Sequence, residues 1–152
     1  MLKFLSGSVT QGSADAFATA EIATGLANAN LGYRVRGIQF SFPGPVEVDS
    51  DIVIQLARRT PTAALGFSDR TLLWSFARYV KLTTSGIFVY DNPVIWTIPK
   101  DMELIIVEDP IHILVDSSST GLANVASARV YYEEVKLTAL EKVTALAESL
   151  NA

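Results

Sequence analysis

The chain has 152 residues but no cysteine and only one histidine. Without cysteine it can form no disulfide, thiol nucleophile or thiolate zinc site, and its redox compartment stays open. Charged residues make up 18% of the chain, below the usual fraction of about a quarter, and hydrophobic residues make up 49%. The groups that most often carry catalysis are therefore scarce. The apolar excess indicates either a well-filled core or an interface between subunits.

The charge balance and the first residues argue against two further classes of protein. A net charge of −4 and a pI near 4.9 argue against binding to nucleic acid or anionic lipid through overall charge. Lys3 is the only basic residue before Arg34, so the chain has no basic arm. Residues 6–12 interrupt the first apolar residues, and we therefore expect no secretion signal. No run approaches the roughly 18 apolar residues of a transmembrane helix, so we expect no membrane span.

Strand patterns dominate the rest of the chain. Residues 51–57 alternate between apolar and polar side chains, with Ile52, Ile54 and Leu56 expected to face inward. Proline, glycine, aspartate and asparagine lie between the strands, where their turn chemistry ends each one. The other predicted strands cover residues 33–42, 72–82, 87–90, 94–98, 104–107, 111–115 and 125–137.

Two segments need separate interpretation. In residues 33–42 the apolar parity changes at Gly37, which indicates a β-bulge because one extra residue re-aims every later side chain. Residues 13–29 are rich in alanine, which favours a helix, but their apolar positions alternate at strand period. The β-rich context favours a strand there, with a helix as the alternative.

The count is about eight or nine strands, with no helical pattern between them of the kind a parallel sheet requires. The sequence therefore predicts an all-β protein, an antiparallel jelly-roll sandwich of about eight strands with a short C-terminal amphipathic helix. We expect a sandwich over residues 1–137 and a helical tail over residues 138–152. The tail is either part of the same domain or docked between subunits.

The tail carries the sharpest local signal. Thr138 and Glu141 match a capping box, in which each side chain accepts a hydrogen bond from the backbone amide of the other. Such a short helix is marginal alone, so it must dock either on its own sandwich or on a neighbouring subunit. We expect the polar residues of the tail to be turned away from its apolar stripe, namely Glu141, Lys142, Glu148 and Ser149. The predicted assembly stripe consists of Leu140, Val143, Leu146, Ala147 and Leu150.

Catalytic and metal-binding groups are weakly indicated. His112 and Asp116 lie four residues apart in a predicted strand, about 13 Å from one another, which is too far for a catalytic triad. We expect a histidine at the surface or at the end of a sheet. Glu108 and Asp109, with Asp101 and Glu103 nearby, form an acidic cluster that could hold calcium, but their spacing favours a solvated turn. We therefore expect no catalytic site, no metal site and no cofactor.

Two further sets of side chains are candidates for ligand binding. Four arginines could form a basic patch that positions phosphates, or they could simply solvate a sheet face. Four aromatic residues could stack on sugars, although Trp74 shares its parity with Leu72 and Phe76 and is expected in the core. The arginines are Arg34, Arg36, Arg58 and Arg59, and the aromatic residues are Trp74, Trp96, Tyr79 and Tyr90.

The order of these segments resembles that of a known family. The runs ATAEIATG, YRVRGIQFSFPGP, SDIVIQLARR, VEDPIHILVDSSSTGLAN and ARVYYEEVKLTALE together are similar to single jelly-roll capsid proteins of small icosahedral viruses. The likeness spans nearly the whole chain and rests on pattern, without an invariant motif. It implies a structural, non-enzymatic coat subunit that assembles with copies of itself into the icosahedral shell of a virion, with a second capsid protein as a further candidate partner.

One departure from the family concerns the genome. Many such capsids package nucleic acid with a basic arm, and this chain has none. The resemblance thus leaves genome contact to the arginine patch, to another protein or to an internal membrane, and we expect weak or no direct binding of nucleic acid. The alternative function is that of a β-sandwich carbohydrate-binding module.

Overall fold

A computed structural model describes residues 1–41, 50–80, 94–99, 101–118 and 123–150 of the chain. The predicted strand over residues 87–90 lies outside them. None of the helices in the described residues has the length and apolar character needed to cross a bilayer. The described elements are β1 (Lys3–Thr10), β2 (Ala18–Ile22), β3 (Leu31–Ser41), β4 (Ser50–Ala57), β5 (Leu72–Val80), β6 (Val94–Thr97), β7 (Ile105–Ile106), β8 (Ile111–Ser118), β9 (Val125–Lys136) and α1 (Ala139–Leu150).

The strands form two antiparallel sheets. Sheet A has the order β1-β9-β3-β6, with the short β7 also pairing with β3, and sheet B has the order β2-β8-β4-β5. The pairs β4 with β5, β3 with β6, β2 with β8 and β1 with β9 are nested along the chain, as in one long hairpin. The hairpin is rolled up so that β9 also pairs with β3 and β8 with β4. This is the jelly-roll sandwich that the sequence predicts.

The core lies between the two sheets and follows the predicted alternation. Ile52, Ile54 and Leu56 of β4 are buried, and so are Ile111 and Ile113 of the adjacent β8. The prediction for residues 51–57 is confirmed. Successive side chains of a strand point to opposite faces, so a strand with one buried face shows alternating apolar and polar residues in the sequence.

The bulge predicted at Gly37 is also confirmed. Val35 pairs with Tyr132 and Gly37 with Tyr131, so one extra residue of β3, Arg36, stands between two successive residues of β9. A Cβ atom on Gly37 would lie 3.1 Å from the carbonyl oxygen of Trp96, which explains the small residue. The extra residue keeps both halves of β3 in the core.

The N-terminal half of the sandwich departs from the sequence interpretation in extent. Residues 13–29 do contain a strand, but it covers only Ala18–Ile22. The strand β1 was not predicted, because its serines and glycine obscure the alternation. A Cβ atom on Gly7 would clash with the side chain of Ile22, so glycine permits the close approach of β1 to β2.

Candidate assembly site

The N-terminus of α1 is fixed by the predicted capping box. The Thr138 hydroxyl oxygen accepts a hydrogen bond from the Glu141 amide at 3.2 Å, and the Glu141 carboxylate accepts one from the Thr138 amide at 2.6 Å. The hydrogen bond from the Thr138 backbone lowers the pKa of the Glu141 carboxyl below its usual range. The capping box is therefore confirmed.

The middle of α1 is held by a buried lysine. Only 5% of Lys142 is exposed, and its ammonium donates to the backbone carbonyls of Leu26 at 2.6 Å, Ala29 at 2.8 Å and Leu31 at 3.1 Å. Burial lowers the pKa of the Lys142 ammonium. Lys142 is turned away from the apolar stripe, as expected, but it faces the sandwich and is buried there, which the sequence did not indicate. A lysine supplies three donors, and the loop before β3 together with the first residue of β3 offers three carbonyls that accept them.

The C-terminal end of α1 is held by an arginine. The Arg59 guanidinium donates a short hydrogen bond to the carbonyl oxygen of Ser149. A cation at this end also interacts favourably with the helix dipole. Together with the Lys142 contacts, this bond docks α1 on its own sandwich through polar groups.

The predicted assembly stripe lies on the opposite side of the helix. Leu140 is 76% exposed and Val143 is 62% exposed, and Ala147 is exposed as well. Leu146 is half-buried at the edge of the stripe, and the side chain of Leu150 lies outside the described part of the structure. The docked helix thus presents leucine, valine and alanine to solvent. If the helix docked by its apolar face, these side chains would be buried against the sandwich.

A hydrogen-bonded network fixes the loop of residues 23–30 that receives Lys142. The Tyr33 hydroxyl donates to the carbonyl oxygen of Thr24 at 2.7 Å, and the Thr24 hydroxyl donates to that of Glu108 at 2.7 Å. The Asp109 carboxylate accepts from the amides of Thr24 at 3.0 Å and Ala27 at 3.2 Å. These bonds hold the loop carbonyls in place for the ammonium.

The same network shifts two ionisation equilibria. Burial raises the pKa of Tyr33 to about 12. The hydrogen bond from the Thr24 amide lowers the pKa of the Asp109 carboxyl, although burial opposes this shift. Both groups therefore keep the protonation state that the hydrogen bonds require near neutral pH.

The four candidate arginines are largely neutralised inside the subunit. Arg34 pairs with Glu103 at 3.0 Å, Arg36 with Glu133 at 2.9 Å, and Arg58 with Glu108 at 2.7 Å. Arg34 and Arg36 lie on the outer face of sheet A. Arg58 also reaches the carbonyl oxygen of Ile105, which faces Arg34 across β3 and β7. Arg59 instead turns to α1. Three of the four guanidinium charges therefore meet a carboxylate.

The acidic cluster is occupied by protein donors. Glu108 is buried between Arg58 and the amide of Val107, so its expected place in a solvated turn is wrong. Glu103 and Asp109 likewise have partners in the chain. The arginine supplies the positive charge that a calcium ion would have supplied.

His112 lies under the 58–71 connection between β4 and β5. Only 5% of the residue is exposed, its Nε2 lies 3.5 Å from the Thr60 hydroxyl, and burial lowers the pKa of the imidazole. Gln55 holds this connection against the outer face of sheet B through two hydrogen bonds to the backbone of Leu65. His112 is the second residue of β8 and so lies at the end of a sheet, one of the two expected places, but it is not at the surface. Sequence patterns do not show which loop folds back over a sheet.

The aromatic residues do not form a flat platform. The rings of Trp74 and Trp96 lie 6.3 Å apart and are tilted by 54°, and Phe76 lies 6.0 Å from Trp96 with a tilt of 58°. Trp96 is 41% exposed. The side chains of Tyr79 and Tyr90 lie outside the described residues. Stacking on a sugar needs an open, face-on ring, and the tilted pair offers little of this.

One exposed apolar group was missed by sequence reasoning. Leu2, just before β1, and Phe4, on the outer face of β1, are each 55% exposed. The Arg129 guanidinium lies 4.7 Å from the centre of the Phe4 ring. The sequence does place Leu2 and Phe4 two residues apart, as on one face of a strand, but two residues are too few to distinguish such a pattern from chance.

Fold and site together define a jelly-roll β-sandwich with an externally docked helix and an apolar helix face open to solvent. No protein-family model matches the chain, and no curated protein matches it by sequence. Among solved structures, a chain of Tomato aspermy virus, determined by X-ray crystallography, matches with a TM-score of 0.50 and 13% identity, covering 88% of this chain and 78% of that chain.

A second match comes from a cryo-EM structure of a virus-like particle of the extra small virus of the giant freshwater prawn Macrobrachium rosenbergii. Its TM-score is 0.34 at 7% identity, and it covers 86% of this chain and 79% of that chain. The first likeness shows a shared fold. In fold, this chain resembles the single jelly-roll capsid proteins of small icosahedral viruses.

Proposed function

We propose that the chain is a viral capsid subunit that assembles with copies of itself into an icosahedral shell. The observation that carries this proposal is the outward apolar face of α1 on a jelly-roll sandwich. The likeness to a virus structure supports the proposal through the fold alone. A helix that docks on its own subunit through Lys142 and Arg59 keeps its leucine and valine available for another subunit.

The size of the exposed surface suits a repeated contact. Leu140 and Val143 are mostly exposed, and burying each would contribute about 1–2 kcal/mol. One such contact is weak, but a closed shell repeats it at every subunit. The free energy from burying the proposed assembly stripe is therefore small compared with that from the core, but it is sufficient to favour association between subunits.

The proposed contact with a genome is weak. The carboxylates beside Arg34, Arg36 and Arg58 cancel most of their charge, and counterion release scales with the number of phosphates that free cations neutralise. We therefore place genome packaging on a second protein or another component of the virion. A filter-binding measurement with nucleic acid should show weak binding with a shallow salt dependence.

Size-exclusion chromatography and negative-stain electron microscopy of the purified protein near neutral pH test the assembly. We expect discrete large oligomers or shells. A monodisperse monomer at high protein concentration would contradict the proposal. Retention of that monomer on immobilised polysaccharide through Trp96 would favour the carbohydrate-binding alternative.

A triple substitution tests the assembly stripe directly. Replacing Leu140, Val143 and Leu146 by serine should leave a cooperatively folded sandwich, because two of these side chains are mostly exposed. Oligomers should weaken. The matched control is Glu148→Ser, which changes an exposed residue of the same helix outside the stripe. If the triple variant assembles as well as the control does, the stripe has no role in the shell.

A further inference from the structure

The outward side chains of α1 follow a heptad pattern. Leu140, Val143 and Ala147 are exposed at the alternating spacing of three and four residues that helix pairs use, and the sequence places Leu150 at the next such position. The residues that face the sandwich, Lys142, Ala145 and Ser149, occupy the opposite positions of the heptad. One side of the helix therefore faces its own subunit, and the other side is free to pack against a second helix.

The chemistry of the outward side selects the kind of partner. Glu141 and Glu148 lie away from the apolar line, and the flanking positions hold Thr144 and Leu146, which carry no charge. A second copy of the same face therefore meets no like charges. An anionic membrane or a nucleic acid would find no cation on this face, since the charge of Lys142 is buried.

We infer that α1 pairs with α1 of a second copy, antiparallel, about a two-fold axis at the level of Ala145. This inference rests on the proposed function, because it identifies the partner of the assembly stripe. In this register Val143 faces the partner's Ala147, and position 140 lies level with position 150 of the second copy. The small alanine lets the backbones approach, and the antiparallel dipoles attract each other.

The contact area explains why the pair belongs to a larger assembly. A helix of 12 residues is about 18 Å long, and one face of it buries far less than the roughly 800 Å² per partner of a stable interface. The helix pair is then one of several contacts between subunits. The helix pair should form in assembled particles and should rarely form in dilute protein, where the other contacts between subunits are missing.

Single cysteines test the inference cleanly because the chain has none of its own. Val143→Cys and Ala147→Cys are small changes at exposed positions and should spare both folding and docking. A disulfide requires Cα atoms within about 7 Å, which in the proposed register holds between position 143 of one copy and position 147 of the other. Particles co-assembled from both variants and mildly oxidised should yield covalent dimers of the 16.4 kDa chain on non-reducing gels.

The controls separate the possible outcomes. Either variant alone should give no dimer above the level of Lys136→Cys, an exposed position on β9. A dimer from Val143→Cys alone indicates a parallel pair or an antiparallel pair in another register, and it overturns the inference. Intact particles without dimers from the mixture overturn it while the proposed function stands. If wild-type protein forms no particles, the proposed function fails and this inference fails with it.

Discussion

Lys142 should contribute more to stability than its place on a surface helix suggests. Replacing it by methionine keeps most of the aliphatic stem but removes the donor to three backbone carbonyls. A hydrogen bond from a charged group contributes about 1.5–3 kcal/mol net, and each buried carbonyl left without a donor adds a penalty. Because such terms overlap and the methionine recovers some packing, we expect a loss of about 3 kcal/mol. In a chain of this length that loss lowers the melting temperature by about 6–12 °C.

Urea denaturation at a protein concentration too low for assembly measures this loss, and amide hydrogen exchange shows whether α1 opens first. The matched control is Lys136→Met, which removes an exposed lysine from β9 and should change stability little. The pH dependence gives a second readout. Burial lowers the pKa of Lys142 in the folded state, so the unfolded chain binds more protons between that pKa and the usual 10.5.

Lys142 therefore adds stability as pH rises through that window, and Lys142→Met should lack this rise. If Lys142→Met is as stable as the control and α1 stays equally protected from exchange, the three carbonyls do not depend on the ammonium. The account of how α1 docks would then be wrong.

Three further changes probe the loop network and the sandwich. Tyr33→Phe should lower the free energy of unfolding by about 1–2 kcal/mol. Because the pKa of Tyr33 is raised to about 12 from 10.0, wild type should also lose stability as pH rises from 10.0 toward 12. The variant should lack this loss in urea titrations. The lowered pKa of Asp109 implies stability that is present above pH 3.8 and lost as pH falls through the folded-state pKa, so thermal melts of Asp109→Asn should be less sensitive to acid than those of wild type. Gly7→Ala forces a methyl group against Ile22 and should cost about 1–3 kcal/mol in chemical denaturation. The control Gly12→Ala should be tolerated, because a Cβ atom there meets nothing within 4 Å.

The sandwich could be predicted where one face of a strand is buried. The alternation of β4 follows from the pleat, and the parity change at Gly37 follows from one extra residue in β3. The capping box is likewise local, since Thr138 and Glu141 lie within one turn. Such signals depend on neighbours a few residues apart and can be read without knowing the fold.

The features that sequence reasoning missed depend on distant partners. The carbonyls that bind Lys142 lie more than a hundred residues earlier in the chain, and nothing near Lys142 indicates that the helix docks against them. The ion pair of Arg58 with Glu108 joins the end of β4 to the turn before β8. The burial of His112 depends on where a long connection folds back. Each of these needs the tertiary structure to bring the two partners together.

The nested pairing has a practical consequence for the two ends of the described chain. The first and last strands are neighbours, with Lys3 facing Tyr132 and its ammonium 2.6 Å from the Glu134 carboxylate. The backbone before Lys3 therefore leaves the subunit beside the point where β9 leads into α1. A peptide fused ahead of Met1 would emerge next to that helix, away from the buried core. In a shell joined through α1, such a fusion would lie close to every contact between two subunits, so a bulky label at this end should hinder assembly more than a short one.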